Sequence, residues 1–200
     1  MTTSVLTHDS NNLRKWEYGN RLYQHVLSRY LDRMASHVRA VSPSLVLDAG
    51  CGEGYVYRGL RARGVSARWQ GVDLSEGAVA FAAARGPEAT WCAADLRAIP
   101  VPDRHADLVL CSQVLEHIPS PEGVRDELAR VSGRHLLISV PLEPAFRSIC
   151  ALTIAMGIGQ DPGHVNFWSP SAFRRFLRPL GRLVTWERSS VYQIALIERA

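Results

Sequence analysis

The chain has 200 residues, of which 46% are hydrophobic and 21% are charged, and its 23 basic and 19 acidic side chains give a net charge of +4. This length suits a single domain with a sizeable core. The sequence contains no run of about 18 apolar residues, so we expect no membrane span. The first residues lack the basic and apolar regions of a signal peptide, and the four cysteines form no Cys-x-x-Cys pair. We therefore expect a cytoplasmic protein with reduced thiols and no zinc site.

Residues 15–41 carry apolar side chains at the spacing of a helix, interrupted near Gly19. Ser42 and Pro43 end the pattern. The sequence predicts one or two helices in this segment. Trp16 and Tyr18 could close over a ligand, and plain helix packing explains them equally well.

The segment from Leu45 to Gly54 reads Leu-Val-Leu-Asp-Ala-Gly-Cys-Gly-Glu-Gly. It predicts a buried strand, a glycine turn and then a helix from Tyr55, which together form a nucleotide-binding crevice. A dinucleotide site has the spacing G-x-G-x-x-G, whereas the spacing here is G-x-G-x-G. Asp48 and Glu53 would also repel a pyrophosphate. Two carboxylates suit a ligand with an ammonium and a sulfonium group, as in S-adenosylmethionine.

Three more strands follow at residues 69–73, 90–94 and 106–110. The first ends in Asp73, at the spacing from the glycine turn at which a carboxylate accepts the two ribose hydroxyls. The second is followed by Asp95, which could accept the adenine amino group, and by Leu96, which could lie against the ring. An adenosine group occurs in both candidate cofactors, so these residues do not discriminate between them.

The rest of the chain continues the alternation of strands and helices. Ser120-Pro121 and Ser169-Pro170 are helix starts, with a capping serine before a proline in the first turn. This alternation predicts an α/β fold with a doubly wound sheet and helices on both faces. The predicted elements are helices from Tyr55, Ser75 and Pro121, a strand at 135–140, a helix at 143–156, a loop at 157–168, a helix at 169–179, and strands at 182–187 and 191–197.

Five segments, VLDAGCGEG, GVDLS, AADLRAIPVPD, ADLVLCSQVLEHI and HLLISVP, follow one another between residues 45 and 141. In the order and spacing of these segments, the chain resembles the class I S-adenosylmethionine-dependent methyltransferases, in the branch that acts mostly on small molecules. The resemblance implies a Rossmann-like sheet of seven strands, mostly parallel, with a C-terminal antiparallel hairpin. It also implies one domain over residues 1–200, with a helical lid (1–42), a cofactor-binding core (43–141) and an acceptor side (142–200).

The resemblance further implies S-adenosylmethionine as the cofactor, a small-molecule methyl acceptor, and a set of contacts for each part of the cofactor. At the methionine end it implies Asp48, Gly50, Cys51, Gly52 and Gly54. At the ribose it implies Asp73 and Leu74, at the adenine Asp95 and Leu96, and along the open side Ser112, Gln113 and Leu115. The stretch from Gly163 to Ser169 resembles a subset of bacterial methyltransferases, without implying a substrate.

An oxygen or nitrogen acceptor that carries a proton needs a general base. The candidates are His117, Glu143 and His164, with Glu116 beside the first. Each has a structural alternative. Glu116 and His117 lie in a stretch shared by methyltransferases of unrelated substrates, which indicates a structural or cofactor-side role. A carboxylate at Glu143 suits the start of a helix. His164 lies in a loop rich in glycine, asparagine and aromatic residues, as binding loops often are, near Asn166 and Trp168. No ligand spacing predicts a metal.

Other classes of function remain open at this stage. Nucleic acid is disfavoured as a partner, because solvated helix faces explain the arginines and Cys111-Ser-Gln-Val replaces the Asn/Asp-Pro-Pro-aromatic stretch of nucleic-acid amino methyltransferases. A nicotinamide-dependent oxidoreductase on a similar fold and a non-catalytic S-adenosylmethionine-binding subunit are the alternatives. The identity of the acceptor, the atom methylated and the oligomeric state stay open.

Overall fold

The computed structural model describes residues 21–155 and 163–199. The predictions for Trp16, Tyr18, the helical segment before residue 21, the helix end at 156 and the first part of the loop, 157–162, lie outside these residues. The described helices are α1 (Arg21–Val41), α2 (Tyr55–Arg61), α3 (Glu76–Arg85), α4 (Glu122–Val131), α5 (Ala145–Ala155) and α6 (Pro170–Leu177). Short 3-10 helices follow at Leu115–His117 and Arg178–Leu180.

The strands of the described chain form one sheet with the order β3-β2-β1-β4-β5-β7-β6. They are β1 (Leu45–Ala49), β2 (Arg68–Asp73), β3 (Thr90–Ala93), β4 (Ala106–Ser112), β5 (Ser132–Pro141), β6 (Gly181–Ser189) and β7 (Tyr192–Arg199). β1 to β5 pair in parallel, and β7 is antiparallel to both β5 and β6. The predicted doubly wound, mostly parallel sheet of seven strands is confirmed.

The order of the strands reverses beside β1, which has β2 on one side and β4 on the other. In such sheets ligands bind outside the carboxyl ends of the strands at the point of reversal. Asp48 pairs with Gly71 of β2 and with Leu110 of β4. The turn that follows β1 therefore lies at the centre of this edge.

Successive residues of the central strands point to opposite faces of the sheet, and each face has its own apolar core. Leu47 packs in the core with Leu128 of α4 and Phe173 of α6. Its neighbour Val46 packs in the other, with Met34 of α1 and Leu60 of α2. The helices on both faces thus follow from strands that are apolar on both sides.

The N-terminal helix α1 packs on the sheet face through residues at the predicted helical spacing, among them Leu27, Tyr30 and Met34. Its role as part of a lid stays a prediction. Several boundaries differ from the sequence analysis, and two of them concern α5 and β5. α5 begins at Ala145 instead of Glu143, and β5 begins at Ser132 because Ser132 pairs with Ala106 of β4 across an irregularity in register. Within residues 21–155 and 163–199, no helix combines the length and apolarity that crossing a membrane requires.

Candidate cofactor and acceptor site

The turn after β1 is held in a conformation that only glycine adopts readily. Gly50, Gly52 and Gly54 have φ values of 80°, 51° and 74°. A Cβ atom at Gly50 would lie 2.3 Å from Cγ2 of Val114, whereas one at Gly52 would have no heavy atom within 4 Å. Gly50 is therefore needed for packing against the segment after β4, and the open side of the turn is at Gly52.

Asp73 joins this turn to the end of β2. One carboxylate oxygen accepts a hydrogen bond from the backbone N–H of Gly52 at 2.8 Å, and the other accepts from the N–H of Ser75 at 2.9 Å. Carboxylate oxygens have further lone pairs, so both can still accept from hydroxyl groups of a ligand. The neighbouring Leu74 is 73% exposed, which places an apolar side chain at the open edge where the ribose and adenine are expected.

Two buried acidic residues flank the turn. Asp48 is almost fully buried, and its Oδ2 atom has no hydrogen-bond partner among the described residues. Burial raises the pKa of Asp48 to about 7, and the charge of Asp73 adds to this while the Trp69 side chain opposes it. Glu53 is also buried. Because buried carboxylates favour a positive neighbour, the site fits a cationic ligand better than a pyrophosphate.

Cys51 is buried within the same turn. Burial, followed by the charges of Asp48 and Asp73, raises the pKa of its thiol. A thiol that stays protonated is a poor nucleophile. Cys51 therefore contributes its backbone and volume to the turn rather than covalent chemistry.

The end of β3 lies beside Asp73, because the N–H of Ala94 donates to the carbonyl of Asp73 at 3.0 Å. Asp95 is exposed, and its Oδ1 accepts from the N–H of Arg97 at 2.8 Å. Leu96 is buried in the core. The expected contacts of Asp95 and Leu96 with adenine stay predictions, and of these two residues Asp95 is the one with an exposed side chain.

The segment after β4 contacts both the glycine turn and the neighbouring strand. Gln113 has a φ of 58°, unusual for a residue with a side chain, and its N–H and Nε2 donate to the carbonyl and Oγ of Ser139. Ser112 is hydrogen-bonded to the hydroxyl of Tyr30 at 2.6 Å. Leu115 is fully buried in the core. Of this segment, Val114 is the residue in contact with the turn, and the cofactor contacts of the other three stay predictions.

Tyr30 lies beside the candidate site, although the sequence analysis placed it only within the apolar helical pattern of residues 15–41. Its hydroxyl lies 2.6 Å from Oγ of Ser112 and 2.5 Å from Oγ of Ser139, so it connects α1 to the ends of β4 and β5. Burial raises the pKa of Tyr30 above its ordinary value, which keeps the hydroxyl protonated. No sequence pattern indicated this contact, since the partners are 82 and 109 residues away.

Glu116, His117 and His164 come together beside this network. One ligand atom from each of the three side chains lies within 4.8 Å of the other two. The two imidazole rings are 4.8 Å apart in an edge-to-face arrangement, and His164 stacks on Phe146 at 5.1 Å. Burial raises the pKa of Glu116 to about 8. Two of the predicted catalytic residues, His117 and His164, are thus neighbours although they are 47 positions apart in the chain.

Asn166 fixes this arrangement. Its side-chain amide donates to the carbonyls of Leu115 and Ile118 at 2.9 and 2.8 Å. The backbone N–H groups of Val165 and Asn166 both donate to the carbonyl of Glu116. The loop that carries His164 is therefore attached to the 3-10 helix after β4, and Asn166 serves this attachment. Trp168, the other predicted neighbour, is buried in the core.

Glu143, the third predicted catalytic residue, is buried just before α5. Its Oε2 atom accepts from the N–H of Arg147 in the first turn of that helix at 3.2 Å. This contact supports the alternative of a carboxylate at a helix start. A catalytic role for Glu143 stays a prediction.

Aromatic side chains form a continuous wall next to the two histidines. Phe146, which stacks on His164, lies 6.3 Å from the ring of Tyr192, and Tyr192 lies 4.9 Å from Tyr30. The wall thus runs from α5 across β7 to α1. Tyr30 and Tyr192 are buried in the core, whereas Phe146 is half-buried, so Phe146 is the ring of the three with exposed area on the side that the sequence analysis assigned to the acceptor.

A family model described as a methyltransferase domain matches residues 47–135. Among curated proteins, a malonyl-[acyl-carrier protein] O-methyltransferase of Hahella chejuensis is 27% identical over 68% of this chain and 49% of its own length. A ubiquinone biosynthesis O-methyltransferase of Nitrosomonas europaea is 33% identical over 51% of this chain and 43% of its own length. The chain spans about half the length of these relatives or less.

Solved structures share the fold at low sequence identity. The magnesium protoporphyrin IX methyltransferase of Synechocystis PCC 6803, with bound S-adenosylhomocysteine, has a TM-score of 0.72 and 21% identity, over 90% of this chain and 88% of that one. A [4+2]-cyclase has a TM-score of 0.69 and 17% identity, over 88% and 82%. One fold therefore serves a methyl transfer and a cyclisation, so these likenesses establish the architecture alone.

Proposed function

We propose that the chain is a class I S-adenosylmethionine-dependent methyltransferase, which binds S-adenosylmethionine and transfers the methyl group to a small-molecule acceptor. The observation that carries the proposal is the glycine turn after β1. Its open side lies at Gly52, and the carboxylate of Asp73 is held directly beside it. This site suits an adenosyl ligand with a positive charge, because it combines a glycine turn, a carboxylate at the end of the next strand and buried acidic residues beside the turn.

The residues that would hold the cofactor fall into groups according to the part of the ligand that each would contact. Asp48 and Glu53 place negative charge at the methionine end, where the ligand has its ammonium and sulfonium groups. Asp73 would accept the ribose hydroxyls with Leu74 beside it, and Asp95 and Leu96 would lie at the adenine. When bound, S-adenosylmethionine supplies an electrophilic methyl group on a sulfonium.

The acceptor would bind against Phe146, the half-buried end of the aromatic wall. An apolar wall excludes water and holds the nucleophilic atom close to the methyl group, which accounts for much of the rate of such displacements. Oxygen is our proposal for the acceptor atom, which the sequence analysis left open, and its support is that two relatives are O-methyltransferases by name. His164 or His117 would then remove the acceptor proton, since an imidazole titrates near neutral pH.

Calorimetric titration with S-adenosylhomocysteine, with NADH as the matched control on the same preparation, tests the cofactor. Micromolar binding of the first and none of the second is the expected result. Tight binding of NADH without a response to S-adenosylhomocysteine would overturn the proposal in favour of an oxidoreductase.

Turnover needs a separate test, because a non-catalytic binding subunit would give the same titration. Incubation with S-adenosylmethionine and a panel of phenols, carboxylic acids and sugars, with release of S-adenosylhomocysteine as the readout, separates the two. His164→Ala is expected to lower the turnover of an accepted substrate and to leave cofactor affinity nearly intact. A loss of cofactor binding in that variant would contradict its placement on the acceptor side.

A further inference from the structure

We propose that Glu116, His117 and His164 form a binding site for a divalent transition-metal ion such as Zn²⁺. Among the described residues these three side chains offer ligand atoms within 4.8 Å of one another. In a tetrahedral site with metal–donor distances of about 2.1 Å, the donors are about 3.4 Å apart. The side chains therefore have to close by roughly 1.4 Å at most to complete the set.

The carboxylate of Glu116 is an independent observation that points to a cation. Glu116 is 1% exposed, and its Oε2 atom has no hydrogen-bond partner among residues 21–155 and 163–199. Buried carboxylate oxygens are otherwise almost always paired, because desolvating an unpaired charge is costly. A metal ion between Glu116 and the two imidazoles supplies the missing partner.

The positions of the ligands are fixed by the surrounding backbone. The amide of Asn166 and two backbone N–H groups attach the loop of His164 to the 3-10 helix that carries Glu116 and His117. Phe146 stacks on the ring of His164. Nδ1 of His117 lies 3.4 Å from the carbonyl oxygen of Gly163, a contact of the kind that orients metal-binding imidazoles. The three donors are thus placed by contacts that do not depend on a ligand.

The donor set indicates the class of metal. One carboxylate and two imidazoles form the protein ligands of many catalytic Zn²⁺ sites and of the open sites of other first-row metals. Mg²⁺ prefers oxygen ligands and is expected to bind weakly. Three protein donors leave a position for a further ligand, and, if the proposed function holds, an acceptor oxygen bound there would lose its proton more readily, so the two imidazoles would act through the metal instead of as general bases.

The test is calorimetric titration of the full-length protein, stripped with a chelator, with Zn²⁺ and separately with Mg²⁺. About one Zn²⁺ per chain is expected, with much weaker binding of Mg²⁺. Glu116→Gln and His117→Ala should each weaken Zn²⁺ binding by at least about 10- to 100-fold. His117 is exposed, so its variant is expected to fold even if removing the buried carboxylate disturbs the chain.

His105→Ala is the matched control, since His105 is a half-buried histidine before β4 that is hydrogen-bonded to Gln70 instead. It should retain wild-type affinity for Zn²⁺. An absence of Zn²⁺ binding in the wild type, or equal binding in His117→Ala and His105→Ala, would overturn the metal site. Titration of the same samples with S-adenosylhomocysteine reports separately on the proposed function, because the three ligands lie outside the glycine turn.

Discussion

Asp73 allows a quantitative test of the cofactor site, because its carboxylate has a structural and a ligand-binding role that can be separated. Both of its oxygens accept backbone N–H groups, from Gly52 and Ser75. The Asp73→Ala substitution removes these two hydrogen bonds. At about 0.5–1.5 kcal/mol each, their loss should lower the free energy of unfolding by about 1–3 kcal/mol.

The effect on binding comes from the ribose hydroxyls. A hydrogen bond to a charged group contributes about 1.5–3 kcal/mol, so Asp73→Ala should raise the Kd for S-adenosylhomocysteine by about 10- to 150-fold. The assay is calorimetric titration of wild type and variant, with the unfolding free energy from urea denaturation of the same samples.

Asp107 provides the matched control at the opposite edge of the sheet. Its exposed carboxylate also accepts two backbone N–H groups, from Ser44 and Leu45, at 2.8 and 3.1 Å. Asp107→Ala should lose similar stability and keep its affinity for the ligand. If Asp73→Ala binds as tightly as wild type, its carboxylate only holds the turn. If Asp107→Ala loses affinity equally, the loss reflects general destabilisation and the reasoning fails.

Three further predictions follow from the same site. Gly50→Ala should lower the free energy of unfolding by about 2–4 kcal/mol, because its Cβ would overlap Val114 at a positive φ. Gly52→Ala should lower the free energy of unfolding by about 1 kcal/mol and mainly weaken S-adenosylhomocysteine binding. Equal stability of the two variants in urea denaturation would contradict this. Asp48 has a folded-state pKa raised from 3.8 to about 7, so the folded chain retains a proton that the unfolded chain loses, and this stabilisation is present below about pH 4 and is lost as the pH rises through 7. Asp48→Asn should therefore gain stability relative to wild type between about pH 5 and pH 8, and a difference independent of pH would refute the shift. Asn166→Ala removes two hydrogen bonds to backbone carbonyls and should lower the melting temperature with little change in S-adenosylhomocysteine affinity; a large change in affinity would place this residue nearer the cofactor.

The helices and strands, and the edge of the sheet proposed to bind the cofactor, could be predicted from the sequence because the residue patterns that indicate them are local. Alternating strand and helix patterns gave the doubly wound sheet, now seen as seven strands. The glycine turn at residues 50, 52 and 54 could be recognised in the sequence because a positive φ at each position favours glycine whatever surrounds it. Element ends were less certain, as at Glu143, whose carboxylate precedes α5 instead of belonging to it.

The acceptor side was decided only by the tertiary structure. Tyr30 lies opposite Ser112 and Ser139, and His164 lies against Glu116 and His117, because α1 packs on one face of the sheet and the loop before α6 attaches to the segment after β4. Such pairings depend on how packed elements place side chains that are distant in the chain, and no periodicity encodes them. The sequence by itself determined the elements and the glycine turn, whereas long-range packing determined which titratable groups meet.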